Sequence, residues 1–381
     1  MAFRVWKEVN NSRLIEDFFR TAEESPLLIM MRKIFNIIIS LSLVVCVCGC
    51  DNNQRKNYEV VENILDGAGR NVAVRDDANK LTAASVYFVA VPFFEALDIT
   101  DRILAVNART SFWLKADDNL NNAGTIGKGT VDLEKLAAYS PDVLVHRSND
   151  PQTVEAVEKL GVDVVCITVE NANDVVDTLT LLGKYFGVEE NAEKAINWFN
   201  EKLQMIDRIV STIPEEERKT ALLMGGEVGR VAGSDMLQSW MIEKAGGIAV
   251  IKEGVNHNWV DIGVEKVFGY NPEYIFISSS TAKNYEISDL LTDSAFSSLT
   301  AVKENNIYEI PAKQDSWDMP GLSCVLGIMY MLHSFYPELF SIEELEDEVD
   351  DYYRFMFGRC FDQELGLNWD ELKWIKKERQ T

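Results

Sequence analysis

Histidine is scarce in this chain. Three occur in 381 residues, His146, His257 and His333, and no two stand at metal-ligand spacing, so a metal site built by the protein itself is not expected. Basic charge is also short: 37 lysines and arginines face 61 aspartates and glutamates, for a formal net charge of −24. That balance argues against nucleic acid, whose binding is driven by Lys and Arg displacing counterions. Of six cysteines, Cys46, Cys48 and Cys50 crowd the end of one apolar run. The others, Cys166, Cys324 and Cys360, are odd in number and widely spaced, which indicates neither a disulfide framework nor a zinc site. A phosphate-cradling glycine loop is missing too. MGGEVGRVAG comes nearest, but it lacks the G-x-G-x-x-G spacing and the ribose-binding acid that should follow. With no nucleophile elbow and no histidine-based dyad, an enzyme is not the reading this sequence supports.

What the chain does have is a repeated sentence. VDLEKLAAYSPDVLVH at 131–146 returns as IGVEKVFGYNPEYIFI at 262–277, matching Glu134 to Glu265, Lys135 to Lys266, Tyr139 to Tyr270 and Pro141 to Pro272. In each copy apolar residues recur at three and four, one face of a short helix. Proline then stops the helix, having no N–H to donate. The β-branched and aromatic run that follows reads as a buried strand of a parallel sheet. Each copy is therefore a helix, a Pro-acidic turn and a core strand, half of a crossover unit. Two such copies point to two similar α/β lobes.

The rest of the chain agrees with that plan. A linker at 51–68 leads to a hairpin edge near Gly69, then to Val86–Val91, an apolar run closed by Pro92 and read as a core strand. Strands and helices alternate through 69–188. From 189 to 213 one amphipathic pattern, with Ile196, Phe199, Leu203, Ile206, Ile209 and Ile213 stepping by three and four, predicts a single helix ended by Pro214. At about 1.5 Å per residue it spans roughly 30 Å, the width of a small domain. The second lobe, with an acidic helical tail, fills 214–381.

The beginning of the chain reads as an address. Met30-Met31-Arg32-Lys33 precedes the apolar run IFNIIISLSLVVCVCG, followed by Cys50 and the polar DNNQRKN. Basic head, apolar core and small residues form an export signal, and Val47-Cys48-Gly49-Cys50 has the form of a bacterial lipobox, cut after Gly49 and lipidated on Cys50. Residues 1–50 are thus an N-terminal extension and signal, with Met30 or Met31 as alternative starts. The expected location is extracytoplasmic, held to the cell membrane by lipid.

Two α/β lobes, one long helix between them and a lipoprotein leader resemble the substrate-binding proteins of ABC importers, in the class serving iron-siderophores, haem, cobalamin and molybdate. VYFVAVPFFEAL, the two repeat copies, MIEKAGG at 241–247 and GLSCVLGIMYMLHSFYPELF at 321–340 carry the resemblance, which covers 69–360. It implies two Rossmann-like lobes joined by one rigid helix, a ligand cleft between them, no enzymatic activity and no cofactor. It also implies a monomer that delivers a metal chelate, with ferric siderophore leading, to a permease and its ATPase. In this class an acidic residue on each lobe docks on permease arginines. Glu265 holds that place in the second lobe; in the first, the family position falls on Gln152, leaving Glu155 or Glu158, of which Glu155 is taken as the candidate.

Ligands of open parallel sheets bind beyond the carboxyl ends of the strands. That rule selects Trp113, Arg147, Arg230, His257, Trp259 and Trp317. Aromatic faces suit a planar or chelated ligand and guanidinium groups its negative charge. His257, alone among the histidines in a cleft-facing loop, is a candidate axial ligand to a tetrapyrrole metal. The same residues have a plainer role open to them, the tryptophans as packing and the arginines as partners of the abundant carboxylates. On the lipobox reading, labelled palmitate is incorporated by the wild type and lost in Cys50→Ser, and label persisting in the variant removes the anchor.

Overall fold

A computed structural model describes residues 58–108, 117–254, 258–278, 284–311 and 315–360. Cys50 and the apolar run before it lie outside these residues, as do Trp113 and His257. Among the described residues no helix is long and apolar enough to cross a membrane.

An antiparallel hairpin comes first, β1 (Val60–Leu65) with β2 (Asn71–Arg75). The stretch read as linker therefore already carries a strand. The first lobe then runs β3 (Ala83–Ala84), α1 (Val91–Ala96), β4 (Ile103–Val106), α2 (Asp118–Asn122), β5 (Gly124–Thr125), α3 (Leu133–Tyr139), β6 (Val143–Arg147), α4 (Pro151–Glu158), β7 (Asp163–Ile167) and α5 (Ala172–Tyr185). Its sheet is parallel throughout, in the order β5-β4-β3-β6-β7. After α6 (Glu189–Val210) come β8 (Thr220–Met224), β9 (Arg230–Ala232), α7 (Leu237–Lys244), β10 (Ile248–Ala249), β11 (Trp259–Asp261), α8 (Val264–Tyr270), β12 (Tyr274–Ile277), α9 (Ile287–Thr292), α10 (Thr300–Lys303), β13 (Ile307–Glu309), α11 (Cys324–Phe335) and α12 (Ile342–Phe357). The second sheet is mixed, in the order β11-β9-β8-β12-β13 with β10 also on β8; β9 and β11 run antiparallel to their neighbours and the rest are parallel.

The expected core strand at Val86–Val91 is not a strand. A 3-10 turn over Phe88–Ala90 runs straight into α1, with Pro92 in its first turn. There a missing N–H is no loss and the fixed φ suits a helix, so proline opens an element it was expected to close.

Both repeat copies fold alike, down to their hydrogen bonds. Ser140 and Asn271 end α3 and α8 in the left-handed region, with φ of 50° and 43°. The acidic residue after each proline then clamps a threonine at the head of the neighbouring strand. Thr82 donates to Asp142 Oδ2 from its backbone N–H at 2.9 Å and from Oγ1 at 2.7 Å, and the Asp142 N–H donates back to Thr82 Oγ1 at 3.1 Å. In the second lobe Thr220 donates likewise to Glu273 Oε2 at 2.9 and 3.0 Å, and the Glu273 N–H returns a bond to Thr220 Oγ1 at 3.1 Å. The clamp fixes the register of β3 on β6 and of β8 on β12.

That register decides which face each side chain takes. Ala83, Val143, Val145, Ala221, Leu223, Tyr274 and Phe276 belong to one apolar core shared by both lobes, whereas Ala84 and Leu144, or Leu222, Met224, Ile275 and Ile277, fill the separate outer cores. The shared core runs through α6, which buries Ala192, Ala195, Phe199, Ile206 and Val210 and touches α1 and α5 of the first lobe and α7 and α11 of the second. α12 lies along it: Trp198 stacks on Phe355 with centroids 5.1 Å apart and donates from Nε1 to Asp351 at 2.9 Å, while Lys202 pairs with Glu348 and Asp351.

Trp317, expected on the cleft wall, is in this shared core. It is 2% exposed and meets Tyr330 edge to face. The loop that carries it turns inward, and the indole packs beneath α11. Trp317→Ala should therefore lower stability by about 3–5 kcal/mol in urea unfolding, the usual loss for a buried tryptophan. A change below about 1 kcal/mol, within the range of surface substitutions, would return it to the surface.

Glu95 supplies a pH dependence. Burial, then the negative charges of Asp117 and Asp98, push its carboxyl up to about 8, and Oε2 is buried with no hydrogen-bond partner among the described residues. Between its ordinary range and that value the unfolded chain has released the proton while the folded one keeps it, so this group's contribution to stability falls as pH rises. Glu95→Gln removes the effect. The variant should match the wild type near pH 4 and exceed it by roughly 3–5 kcal/mol above pH 8, from the linkage of pKa to stability. An equal difference at both pH values would overturn this account.

Candidate functional site

The carboxyl ends of the two sheets face one cleft of about 230 Å³, walled by Tyr87, Phe88, Val89, Val169 and Glu170 from the first lobe and by Met236, Leu237, Gln238, Trp259, Met319 and Pro320 from the second.

Tyr87 is set by the turn that follows β3. Ser85, fully buried, reaches the carbonyls of Val145 at 2.8 Å and Tyr87 at 3.0 Å, and its Oγ accepts from the Tyr87 N–H at 3.1 Å. Asn107 Nδ2 donates to the Val86 carbonyl at 2.6 Å. Held in this way, the Tyr87 ring stands edge-on to Phe88, which is 41% exposed at the rim. Burial, followed by the charge of Glu170, raises the Tyr87 phenol well above its ordinary pKa, with Arg147 opposing in part. The phenol thus keeps its proton, and Tyr87 lines the cleft.

Glu170 follows β7 at the start of α5. Its N–H and that of Asn171 donate to Asp174 Oδ2, at 2.7 and 3.1 Å, and the Asn171 side chain caps the helix in return. The backbone there is fixed, and Glu170 is the one charged side chain among the described residues of the cleft wall.

On the second lobe, Trp259 pairs with Ala232 across β11 and β9. Its ring lies over Gly225, where a Cβ would stand 2.9 Å from the indole, so a larger residue there would displace it. Met319 and Pro320 end a loop anchored from behind. The buried Asp315 accepts from the Tyr352 hydroxyl of α12 at 2.6 Å, and burial pushes its carboxyl up to about 7 against the pull of Tyr352 and Ser323. Gln238 Nε2 donates to the Asp318 carbonyl at 2.7 Å, tying this loop to α7.

Of the residues chosen from the sequence, Trp259 lines the cleft. Arg147 ends β6 beside it, exposed and paired with Asp150 at 3.3 Å, close enough to act on the Tyr87 phenol but not part of the wall. Arg230 pairs across the strands with Asp261 at 3.4 Å, also outside the wall. Both arginines thus have carboxylate partners in place. Glu155 is exposed on α4, bonded to Lys159 at 2.7 Å, and Glu265 is exposed in the first turn of α8. The strand-end rule could have found Glu170, just past β7. Tyr87 was hidden by the misplaced strand, and Met236 to Gln238 by their place at a helix start. Among the described residues no three His, Cys, Asp or Glu side chains come together to hold a metal ion.

Comparison with known proteins bears on this cleft. The model of the family described as periplasmic binding protein matches residues 89–314. The molybdate-binding protein MolA of Haemophilus influenzae is 22% identical over 320 residues, covering 76% of this chain and 89% of that protein. Its molybdate-bound crystal structure superposes with a TM-score of 0.68 at 18% identity, over 79% of this chain and 99% of that one. A periplasmic solute-binding protein of Veillonella parvula gives 0.67 at 21% identity, over 81% and 97%. CeuE of Helicobacter pylori with bound Ni(II) gives 0.63 at 21%, over 80% and 98%. The family match runs from α1 of the first lobe through α6 and past β13 of the second, more than half of the chain, and this chain belongs to the periplasmic binding protein family.

Proposed function

We propose that this chain is the substrate-binding component of an ABC importer and that its cargo is a compact metal-bearing anion, an oxyanion or a small chelate. The observation that carries the reading is the size and lining of the cleft. At about 230 Å³ it falls below the range of roughly 300–1,000 Å³ typical of sites for drug-sized ligands. A ferric siderophore, the cargo the resemblance put first, is bulky for such a space, as are haem and cobalamin. Relatives that bind molybdate or Ni(II) agree with a small cargo. Phe88, exposed at the rim, supports a second reading in which a larger chelate sits partly outside the cleft.

Around this cleft the other roles take their places. Glu155 and Glu265, exposed on helices of opposite lobes, are the proposed docking points for the permease, and Cys50 the proposed lipid attachment that keeps the protein at the extracytoplasmic face of the membrane. A monomer suffices, since both walls of the cleft come from one chain.

Tryptophan fluorescence and calorimetry with molybdate, ferric citrate, a ferric catecholate, haem and cobalamin test the reading. Molybdate or ferric citrate should bind, and Trp259→Ala should weaken that binding by about 1–3 kcal/mol, as loss of an aromatic anchor does. Tight binding of haem or cobalamin, with neither compact ligand bound, would overturn it.

A further inference from the structure

The hairpin of β1 and β2 stands outside both large sheets, and among the described residues β1 pairs with β2 alone. Its inner side is taken: Ile64 and Val72 pack against the shared core, and Val74 is buried. Its outer side is open. Val61 is 66% exposed and Leu65 64%, and the register shifts between Val60 and Glu62, so that Val60 and its neighbour Val61 both meet solvent. With Tyr58, these make four of the ten large apolar side chains exposed among the described residues, gathered within 58–65. Single exposed aliphatics are ordinary, whereas a gathered patch marks a surface that meets something.

Charge is absent from the same side. The outward residues of the two strands, Val61, Asn63, Leu65, Asn71 and Ala73, carry none, in a chain with a net charge of −24. Of the acidic residues behind them, Glu62 is paired with Lys184 and the buried Asp66 with Arg70, each at 2.8 Å. The hairpin is also fixed to the first lobe. The Gly67 N–H donates to the Cys166 carbonyl of β7 at 2.7 Å, Thr168 Oγ1 donates to the Gly67 carbonyl at 2.8 Å, and Arg70 reaches the Val164 carbonyl and Glu158 of α4, each at 2.7 Å. Whatever holds the outer face therefore orients the first lobe.

Chain length points to the occupant. Only residues 51–57 separate Cys50 from Tyr58, a segment that spans at most about 30 Å when fully extended. With lipid on Cys50, the hairpin stays within that distance of the bilayer surface. We propose that the outer face of the hairpin, centred on Val61 and Leu65, rests on the membrane among zwitterionic lipid headgroups and so sets the orientation of the anchored protein. This rests on lipid attachment at Cys50. Uncharged aliphatic and amide side chains suit such a layer, whereas the exposed Glu59 and Asp76, joined at the open end of the hairpin, are repelled by an anionic one.

Photo-crosslinking on phosphatidylcholine vesicles tests the surface, with the full chain expressed in a host that lipidates it. Benzoylphenylalanine replaces Val61 or, in a second variant, Leu65, and as a control Ile248, which is 38% exposed on the second lobe. On irradiation the probe at 61 or 65 should form lipid adducts several-fold more often than the probe at 248. Lipid adducts no more frequent than the control would mean that the hairpin stands clear of the membrane, and adducts to a second copy of the chain would assign the face to that copy; either result overturns the proposal. Flotation with the vesicles and palmitate labelling separate the two readings. A wild type that floats and carries label, with no hairpin adduct, keeps the anchor and loses this surface, whereas a wild type that does neither removes the anchor and this surface with it.

Discussion

A carboxylate that holds a threonine at the head of the next strand sets this structure twice over. Asp142 on Thr82 and Glu273 on Thr220 each join three hydrogen bonds at the amino end of a central parallel pair. Side chains of a strand alternate between faces, so a slip of one residue would send Val143 and Val145 to the outer core and Leu144 to the inner one. The inner face is common to both lobes, and an error there would spoil the contact with α6 as well. It would also shift the strands' opposite ends, where the turns bearing Tyr87 and Glu170 and the loop bearing Met319 and Pro320 leave the sheets. Register at one end of the sheets thus fixes the cleft at the other.

The anionic cargo proposed for so acidic a protein needs a local reason. A net charge of −24 spreads over the surface, and at physiological ionic strength exposed charges are screened beyond about 8 Å. Inside the cleft the nearest groups decide. There the phenol of Tyr87 is held protonated by burial, and α7 begins with no side-chain cap among the described residues. Desolvated donors at close range outweigh distant, screened carboxylates. Glu170 is the exception, a carboxylate on the cleft wall itself.

The sequence made the repeat readable because each copy is contiguous: helix, proline, acid and strand follow one another, and the structure has α3 with β6 and α8 with β12 at those places. The long helix was readable for the same reason. The apolar run at Val86–Val91 misled because Val and Phe suit either state, and Pro92, which opens a helix as easily as it ends a strand, does not decide between them. Trp317 misled for another reason. Position beyond a strand end does not say whether a loop turns outward or folds beneath α11. Arg230 finds Asp261 only through the pairing of β9 with β11, a long-range contact that no local spacing announces. The cleft residues missed in the sequence are of this kind, their meaning given by what lies opposite.

The last helix ties these parts together. α12 touches α1, whose first turn follows the Tyr87 turn, and through Tyr352 it holds Asp315 at the base of the loop that ends in Met319 and Pro320. One helix therefore backs a wall of the cleft in each lobe. It also lies along α6, stacked at Trp198 and paired at Lys202, so the element joining the lobes is braced from outside by the element supporting the site. Bending α6 would break its own backbone bonds and strip it from α12 at the same time. A cleft built on such a frame admits its cargo through movement of side chains and loops at the rim, where Phe88 is exposed, more readily than by swinging one lobe against the other.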